Sequence, residues 1–181
     1  MKWLLTIIPI ILIADQYTKW LIRQKIALYE KIVVIDGFFN LTHVQNAGAA
    51  FGLFSDMDKS FRVPFFYSIS LIAFVILIYL FINTSPQEWR MRGILTLITG
   101  GALGNVTDRI LFGSVTDFIQ VYYKSFSWPS FNVADSCITV GVILLFIEMI
   151  FFNKEQIMIN NTGETSNEVS DNAAVLTEDS L

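Results

Sequence analysis

From Pro64 to Ile82 the chain carries no acidic or basic side chain; its only ionisable groups are the weak phenols of Tyr67 and Tyr79. A helix rises about 1.5 Å per residue and needs around 20 residues to cross about 30 Å of hydrocarbon, so this run is long enough to span a bilayer. Three further apolar segments, at about residues 3–22, 93–110 and 135–152, are just long enough to do the same. Each of these includes charge: Asp15 and Lys19 in the first, Asp108 and Arg109 with Asn105 near the end of the third, Asp135 and Glu148 in the fourth. The composition, 54% hydrophobic and 15% charged with the apolar residues bunched into runs, is that of a membrane protein rather than a soluble domain.

The formal net charge of -4 says little about partners. Residues 161–181 hold Glu164, Glu168, Asp171, Glu178 and Asp179 without a Lys or Arg, which leaves the rest of the chain at about +1. That tail has no periodic pattern and is expected to be disordered. Nothing in the charge pattern suggests a nucleic-acid partner. The first segment opens like a secretory signal, but its basic region is thin, no small-x-small cleavage site follows, and Asp15 and Lys19 interrupt it. It is expected to be an uncleaved first span.

The intervals between spans differ in character. Residues 23–63 contain Val33-Val34-Ile35, the turn Asp36-Gly37, and Phe38 to Gln45, which reads as short strands joined by a turn. A run of small residues, Asn46-Ala47-Gly48-Ala49-Ala50-Phe51-Gly52, follows and suits close backbone approach. Residues 83–92 form a short turn, and residues 111–134 a second polar excursion. An even number of spans places both termini on one side. The basic residues do not choose that side: Lys2, Arg90, Arg92 and Lys154 lie on one face, while Arg23, Lys25, Lys31, Lys59, Arg62 and Lys124 lie on the other.

Counting crossings brings the end of the first span, the end of the third and the start of the fourth to the same side. Asp15, Lys19, Asn105, Asp108, Arg109, Asn132 and Asp135 then collect at one depth, with Asp117 in the adjoining excursion. Asp15 and Lys19 share a helix face, as do Asn105, Asp108 and Arg109. Two readings of these groups stand: they anchor and pair at span ends, or they orient a more reactive pair. Gly100 and Gly104, four apart, likewise suit either helix packing or contact with a bound chain.

Asp117 and Asp135 are the candidates for chemistry. Two carboxylates sharing a site cannot both ionise cheaply, so one keeps a proton while the other serves as a base. Such a pair can activate water against an amide carbonyl with neither metal nor covalent nucleophile. Asp135 also fits a plain helix cap at the start of the fourth span. Rival chemistries are poorly supported: His43 is the only histidine and Cys137 the only cysteine, so no zinc set exists, and no Ser sits in a nucleophile motif. No cofactor or metal is expected. A small transporter, with Asp and Arg marking an ion path, and a noncatalytic scaffold are the other classes open to such a chain.

At these residues the chain resembles the lipoprotein signal peptidase family, the type II signal peptidases of bacteria. The resemblance covers about residues 8–152 and rests on Asp15-Gln16-x-x-Lys19, Asn46 to Gly52, Gly101-Ala102-Leu103-Gly104-Asn105-x-x-Asp108-Arg109, Val115-x-Asp117-Phe118-Ile119 and Phe131-Asn132-x-Ala134-Asp135. It implies an all-α membrane protein with four transmembrane helices and a small β-rich cradle and loop on the periplasmic side. It also implies an aspartyl endopeptidase that cuts diacylglyceryl-modified prolipoproteins before the lipidated cysteine. Asp117 and Asp135 match the catalytic positions. Asp15, Lys19, Asn46, Gly101, Asn105, Asp108, Arg109, Asn132 and Ala134 match positions that support the dyad or contact substrate. Further expectations are a monomer in the inner membrane with cytoplasmic termini, and sensitivity to globomycin-type inhibitors. Residues 1–160 would form the peptidase domain, with 23–63 as cradle and lid, and 161–181 a cytoplasmic tail.

Overall fold

The computed structural model describes residues 2–48 and 58–151; the tail and residues 49–52 of the small-residue run lie outside the described residues. The chain divides into two units, Met1–Val142 and Ile143–Leu181. The sheet and the site belong to the first. Of the second, the described part is residues 143–151 of the last helix.

Helix α1 (Lys2–Lys25) runs past the apolar segment to end on Arg23 and Lys25, cations that suit the negative end of a helix dipole. The buried His43 ring then fixes its exit, with Nδ1 2.8 Å from the carbonyl oxygen of Ile26. Strands β1 (Lys31–Ile35) and β2 (Phe39–Asn46) form the expected antiparallel hairpin. The excursion at 111–134, expected as a polar loop, carries two strands: β3 (Val115–Tyr123) pairs along β2, and β4 (Phe126–Ser127) along β3. The β-branched and aromatic residues of Val115–Tyr123 suit a half-buried pleated surface, and β2 offers them an edge. Sheet order is β1-β2-β3-β4.

The register of β2 on β3 slips between Leu41 and Val44, so that Val44 faces Asp117 and Asn46 faces Val115. Irregularities of this kind re-aim side chains beside functional sites. Backbone bonds between Phe131 and Ile119 then pin the start of the last helix against β3. Under the sheet, Ile22, Ile26 and Phe118 form a buried cluster packed by Leu41, Ile119 and Val133.

Helix α2 (Lys59–Asn83) starts ahead of Pro64 because Asp58 caps it, accepting from the Ser60 amide at 2.7 Å. Its apolar side chains are largely exposed, Leu71 at 64% and Val75 at 56%, as suits contact with lipid. By length and composition α2 from Pro64 and α4 (Val133–Phe151) could each cross a bilayer unaided. Helices α1 and α3 (Trp89–Phe112) bring ionisable residues that pair with one another. Pairing is what makes such groups tolerable at membrane depth.

Glycines set the distance between these helices. A Cβ added at Gly104 would lie 2.6 Å from Asp15 Oδ2, and one at Gly101 would strike the carbonyl oxygen of Ala134. Ala134 is itself fully buried. Close packing is therefore what Gly101, Gly104 and Ala134 contribute, and the polar groups meet because of it.

Candidate active site

Asp15, Lys19 and Asp108 are wholly buried. The Lys19 ammonium lies 2.8 Å from Asp15 Oδ2 and 3.6 Å from Asp108 Oδ2, while Arg23 reaches Asp108 Oδ1 at 3.5 Å. Two carboxylates thus face two cations, which leaves this layer near neutrality. Each carboxylate also holds backbone: Asp15 Oδ1 accepts from the Ala134 amide at 2.9 Å, and Asp108 Oδ2 from the Thr116 amide at 2.8 Å. The first bond docks the N-terminus of α4 on α1. The second docks β3 on α3 one residue before Asp117.

Above this layer three asparagines point their amide nitrogens at the two remaining aspartates. Asn46 donates to Asp117 Oδ2 at 2.9 Å, Asn132 to Asp117 Oδ1 at 2.7 Å, and Asn105 to Asp135 Oδ1 at 2.7 Å. In every case the amide oxygen is already occupied by a donor. Asn46 Oδ1 accepts from the Gly48 amide, Asn132 Oδ1 from the Asp135 amide, and Asn105 Oδ1 from Lys19 Nζ at 3.0 Å and from Asn132. A side-chain amide has one acceptor end and one donor end, so occupying the first fixes the second toward the carboxylate. Lys19 therefore acts on Asp135 through Asn105.

Asn132 and Asp135 form a reciprocal cap at the start of α4, the Asn132 side chain taking the Asp135 amide and Asp135 Oδ2 taking the Asn132 amide at 3.3 Å. The capping reading of Asp135 is correct in geometry. It leaves Oδ1 directed at Asn105, so the same carboxylate caps a helix and faces the cleft.

Asp117 is buried to 2% exposure, and no cation lies in ion-pair range of it among the described residues. Desolvation, and then the neighbouring charge of Asp135, push its carboxyl up from 3.8 to about 7, against the opposing pull of the Asn46 and Asn132 bonds and of Lys19. Both aspartates line a cleft of about 1050 Å³ together with Asn46, Gly48, Asn105 and Arg109. The pair can hold one proton between them beside a space large enough for a peptide. Among the described residues no group of three or more His, Cys, Asp or Glu side chains could hold a metal ion.

A family model for signal peptidase (SPase) II matches residues 7–151. The chain belongs to the signal peptidase II family. A lipoprotein signal peptidase of Syntrophus aciditrophicus is 42% identical over 147 residues, covering 81% of this chain and 91% of that one. One from Francisella tularensis subsp. novicida is 43% identical over 146 residues, 81% and 90% of the two chains. A solved bacterial membrane enzyme superposes with a TM-score of 0.74 at 35% identity, covering 83% of this chain and 88% of that one. A second gives 0.74 at 32%, covering 84% and 95%. The activity is that of the family, an aspartyl peptidase that removes the signal peptide from lipidated prolipoproteins, in a multi-pass protein of the bacterial inner membrane.

Within this signal peptidase the eight polar candidates Asp15, Lys19, Asn46, Asn105, Asp108, Asn132, Asp117 and Asp135 lie in one continuous set of hydrogen bonds and ion pairs. Arg109 faces the cleft, and Gly101 and Ala134 pack beneath it. Sequence reasoning gave no role to Gln16, Arg23, Thr116 or Gln45. Gln16 donates to Asp15, to the Gly104 carbonyl and to Asp108. Arg23 holds Asp108 and the Thr116 hydroxyl, and Thr116 also accepts from Gln45. The available signal for Arg23 was its spacing, four residues beyond Lys19 and eight beyond Asp15 on one helix face.

Proposed function

We propose that Asp117 and Asp135 are the catalytic dyad and that hydrolysis falls immediately before the diacylglyceryl cysteine. The ionised member takes a proton from water as the oxygen attacks the scissile carbonyl carbon. The neutral member gives its proton to the carbonyl oxygen. Collapse of the tetrahedral intermediate breaks the C–N bond, the amine nitrogen leaves with a proton returned through the dyad, and one shared proton remains. The single observation carrying this reading is that Asn132 touches both carboxylates, its side chain donating to Asp117 Oδ1 at 2.7 Å and its backbone amide to Asp135 Oδ2 at 3.3 Å.

Asp15, Lys19, Asn46, Asn105, Asp108 and Asn132 hold the dyad, and Arg109 contacts substrate. Action as a monomer is part of the same reading. The same cleft would accept a globomycin-type cyclic peptide. We place the dyad end on the periplasmic side and both termini in the cytoplasm, with residues 1–160 as the peptidase domain and 161–181 as a tail. Support for that orientation is the family resemblance, since the basic residues do not decide it.

The decisive assay presents the purified protein in detergent with one precursor in lipidated and unlipidated forms. Only the lipidated form should be cut, and Asp117→Asn or Asp135→Asn should each lower kcat by about 10²–10⁴ in a folded protein. Full cleavage by either variant overturns the dyad. Orientation is tested separately: an Asp36→Cys in a Cys137→Ala background should react with an impermeant maleimide added outside intact cells. Labelling only after lysis reverses the topology.

A further inference from the structure

A second concavity lies beside the catalytic cleft and belongs to neither the dyad nor its supports. It is a groove of about 330 Å³ between α2 and α3, lined by Tyr67, Leu71 and Phe74 on one side and Leu103, Val106 and Ile110 on the other. Arg109 lines this groove and the catalytic cleft alike, so the two meet at this residue. Among the described residues the Arg109 guanidinium makes no hydrogen bond or ion pair, although it carries five donors. The Tyr67 hydroxyl donates to the Arg109 backbone carbonyl, which ties α2 to α3 at the end of the groove nearest the dyad.

Size and lining select the occupant. A helix is about 10–12 Å across with its side chains, too wide for a groove of this volume, and the walls offer an extended peptide backbone few partners. A single hydrocarbon chain needs neither. The substrate of this enzyme arrives with two such chains, esterified next to the bond to be cut. We propose that the α2/α3 groove holds one acyl chain of the substrate's diacylglyceryl group, with Arg109 donating to the ester carbonyl where groove and cleft meet. This rests on the reading that the dyad cuts beside the lipidated cysteine.

The groove works by placement, not by bulk hydrophobic gain. An acyl chain leaving lipid for an apolar wall moves between two equally apolar surroundings, so what it gains is packing against a fixed surface. Threading the chain between α2 and α3, with its ester at Arg109, fixes the position of the cysteine relative to Asp117 and Asp135. A peptide without the chain, or with a chain too short to reach Leu71 and Phe74, loses that alignment even when it enters the cleft.

The test uses precursor peptides with long and with very short acyl groups on the diacylglyceryl cysteine, and a groove-filling variant, Leu71→Trp, at a residue that is 64% exposed and so tolerant of bulk. The unsubstituted enzyme should prefer the long-chain peptide, and Leu71→Trp should lower kcat/KM for it roughly three- to tenfold while leaving the short-chain peptide unchanged. An equal loss on both peptides, or no loss on either, overturns the groove assignment. Asp117→Asn should stop cleavage of both peptides. If it does not, the dyad reading fails instead, so the two failures are distinguishable.

A second measurement does not depend on the variant. A long-chain peptide with a photoreactive diazirine midway along one acyl chain, bound to Asp117→Asn, should label α2 and α3 at Leu71, Phe74 or Leu103. Label on the outward face of α4, or spread evenly as for bulk lipid, overturns the proposal.

Discussion

Asp15 and Asp108 on one side, and Asp117 and Asp135 on the other, are four aspartates within one hydrogen-bonded set, yet they have opposite surroundings. The first two face Lys19 and Arg23 across ion-pair distances and accept backbone amides from α4 and β3. The second two accept from three asparagine amides, with no cation in ion-pair range among the described residues. A cation beside a buried carboxylate balances its charge and fixes it in place. A neutral donor holds the carboxylate in place while leaving its protonation open to burial and to its twin. The cation-paired layer is thus a clamp, and the amide-paired layer above it can exchange protons.

Removing a cation from the clamp should produce the largest change in stability. Lys19→Met strands Asp15 without its partner in a fully buried setting, and such a lesion costs about 3–5 kcal/mol. Thermal unfolding in detergent measures it. The sharper form adds Asp15→Asn: if the clamp is an ion pair, the double variant should recover part of the loss, because a neutral pair is cheaper to bury than one unpaired charge. If the two losses simply add, the pair is not coupled and the contrast between the layers collapses.

Asn132→Ala attacks the other layer. It removes the donor to Asp117 and the cap on Asp135 in one step, leaving the ion pairs of Asp15 and Asp108 untouched. Loss of the cap should cost about 1 kcal/mol of stability. Loss of aim between the carboxylates should cost about 10²-fold in kcat. A variant that melts as early as Lys19→Met, or that cleaves normally, would contradict the division of labour.

Much of this division is legible in the sequence, and the legible part depends on topology. Four apolar segments force the polar residues at alternate span ends onto one side, so Asp15, Asn105, Asp108 and Asp135 had to meet. The Asp15–Lys19 pair follows from their four-residue spacing, but the closure of Lys19 and Arg23 on Asp108 was not readable, because it depends on angstrom-scale approach: Gly104 lets Asp15 come against α3, and Gly101 lets α4 follow. The strand at Val115–Tyr123 was missed because polar residues within it mask its alternation. Those polar residues are the ones that matter, since Thr116 and Asp117 turn into the site, and Gln120 lines the cleft. The groove between α2 and α3 had no signal at all, being made by apolar residues that look like any others in the two helices.

The smallest effect, and the most specific to the upper layer, is on pH. With the Asp117 carboxyl raised to about 7 by burial and by Asp135, the folded protein binds that proton more tightly than the unfolded chain, whose value is near 3.9. Its contribution to stability is therefore complete below about pH 4 and is lost as pH rises through about 7. Cleavage requires one proton on the pair, so kcat/KM should fall on an upper limb near pH 7, the value belonging to the dyad as a unit. The Asn46 bond lowers the Asp117 value, so Asn46→Ala should move that limb to higher pH, by up to about one unit for the loss of one ordinary hydrogen bond. Asp15→Asn should shift the limb less, because that carboxylate makes no hydrogen bond to either carboxylate of the dyad and reaches the pair through Lys19, Asn105 and the Ala134 amide. A limb that follows Asp15 and ignores Asn46 would mean that the clamp, not the amide layer, carries the titrating proton.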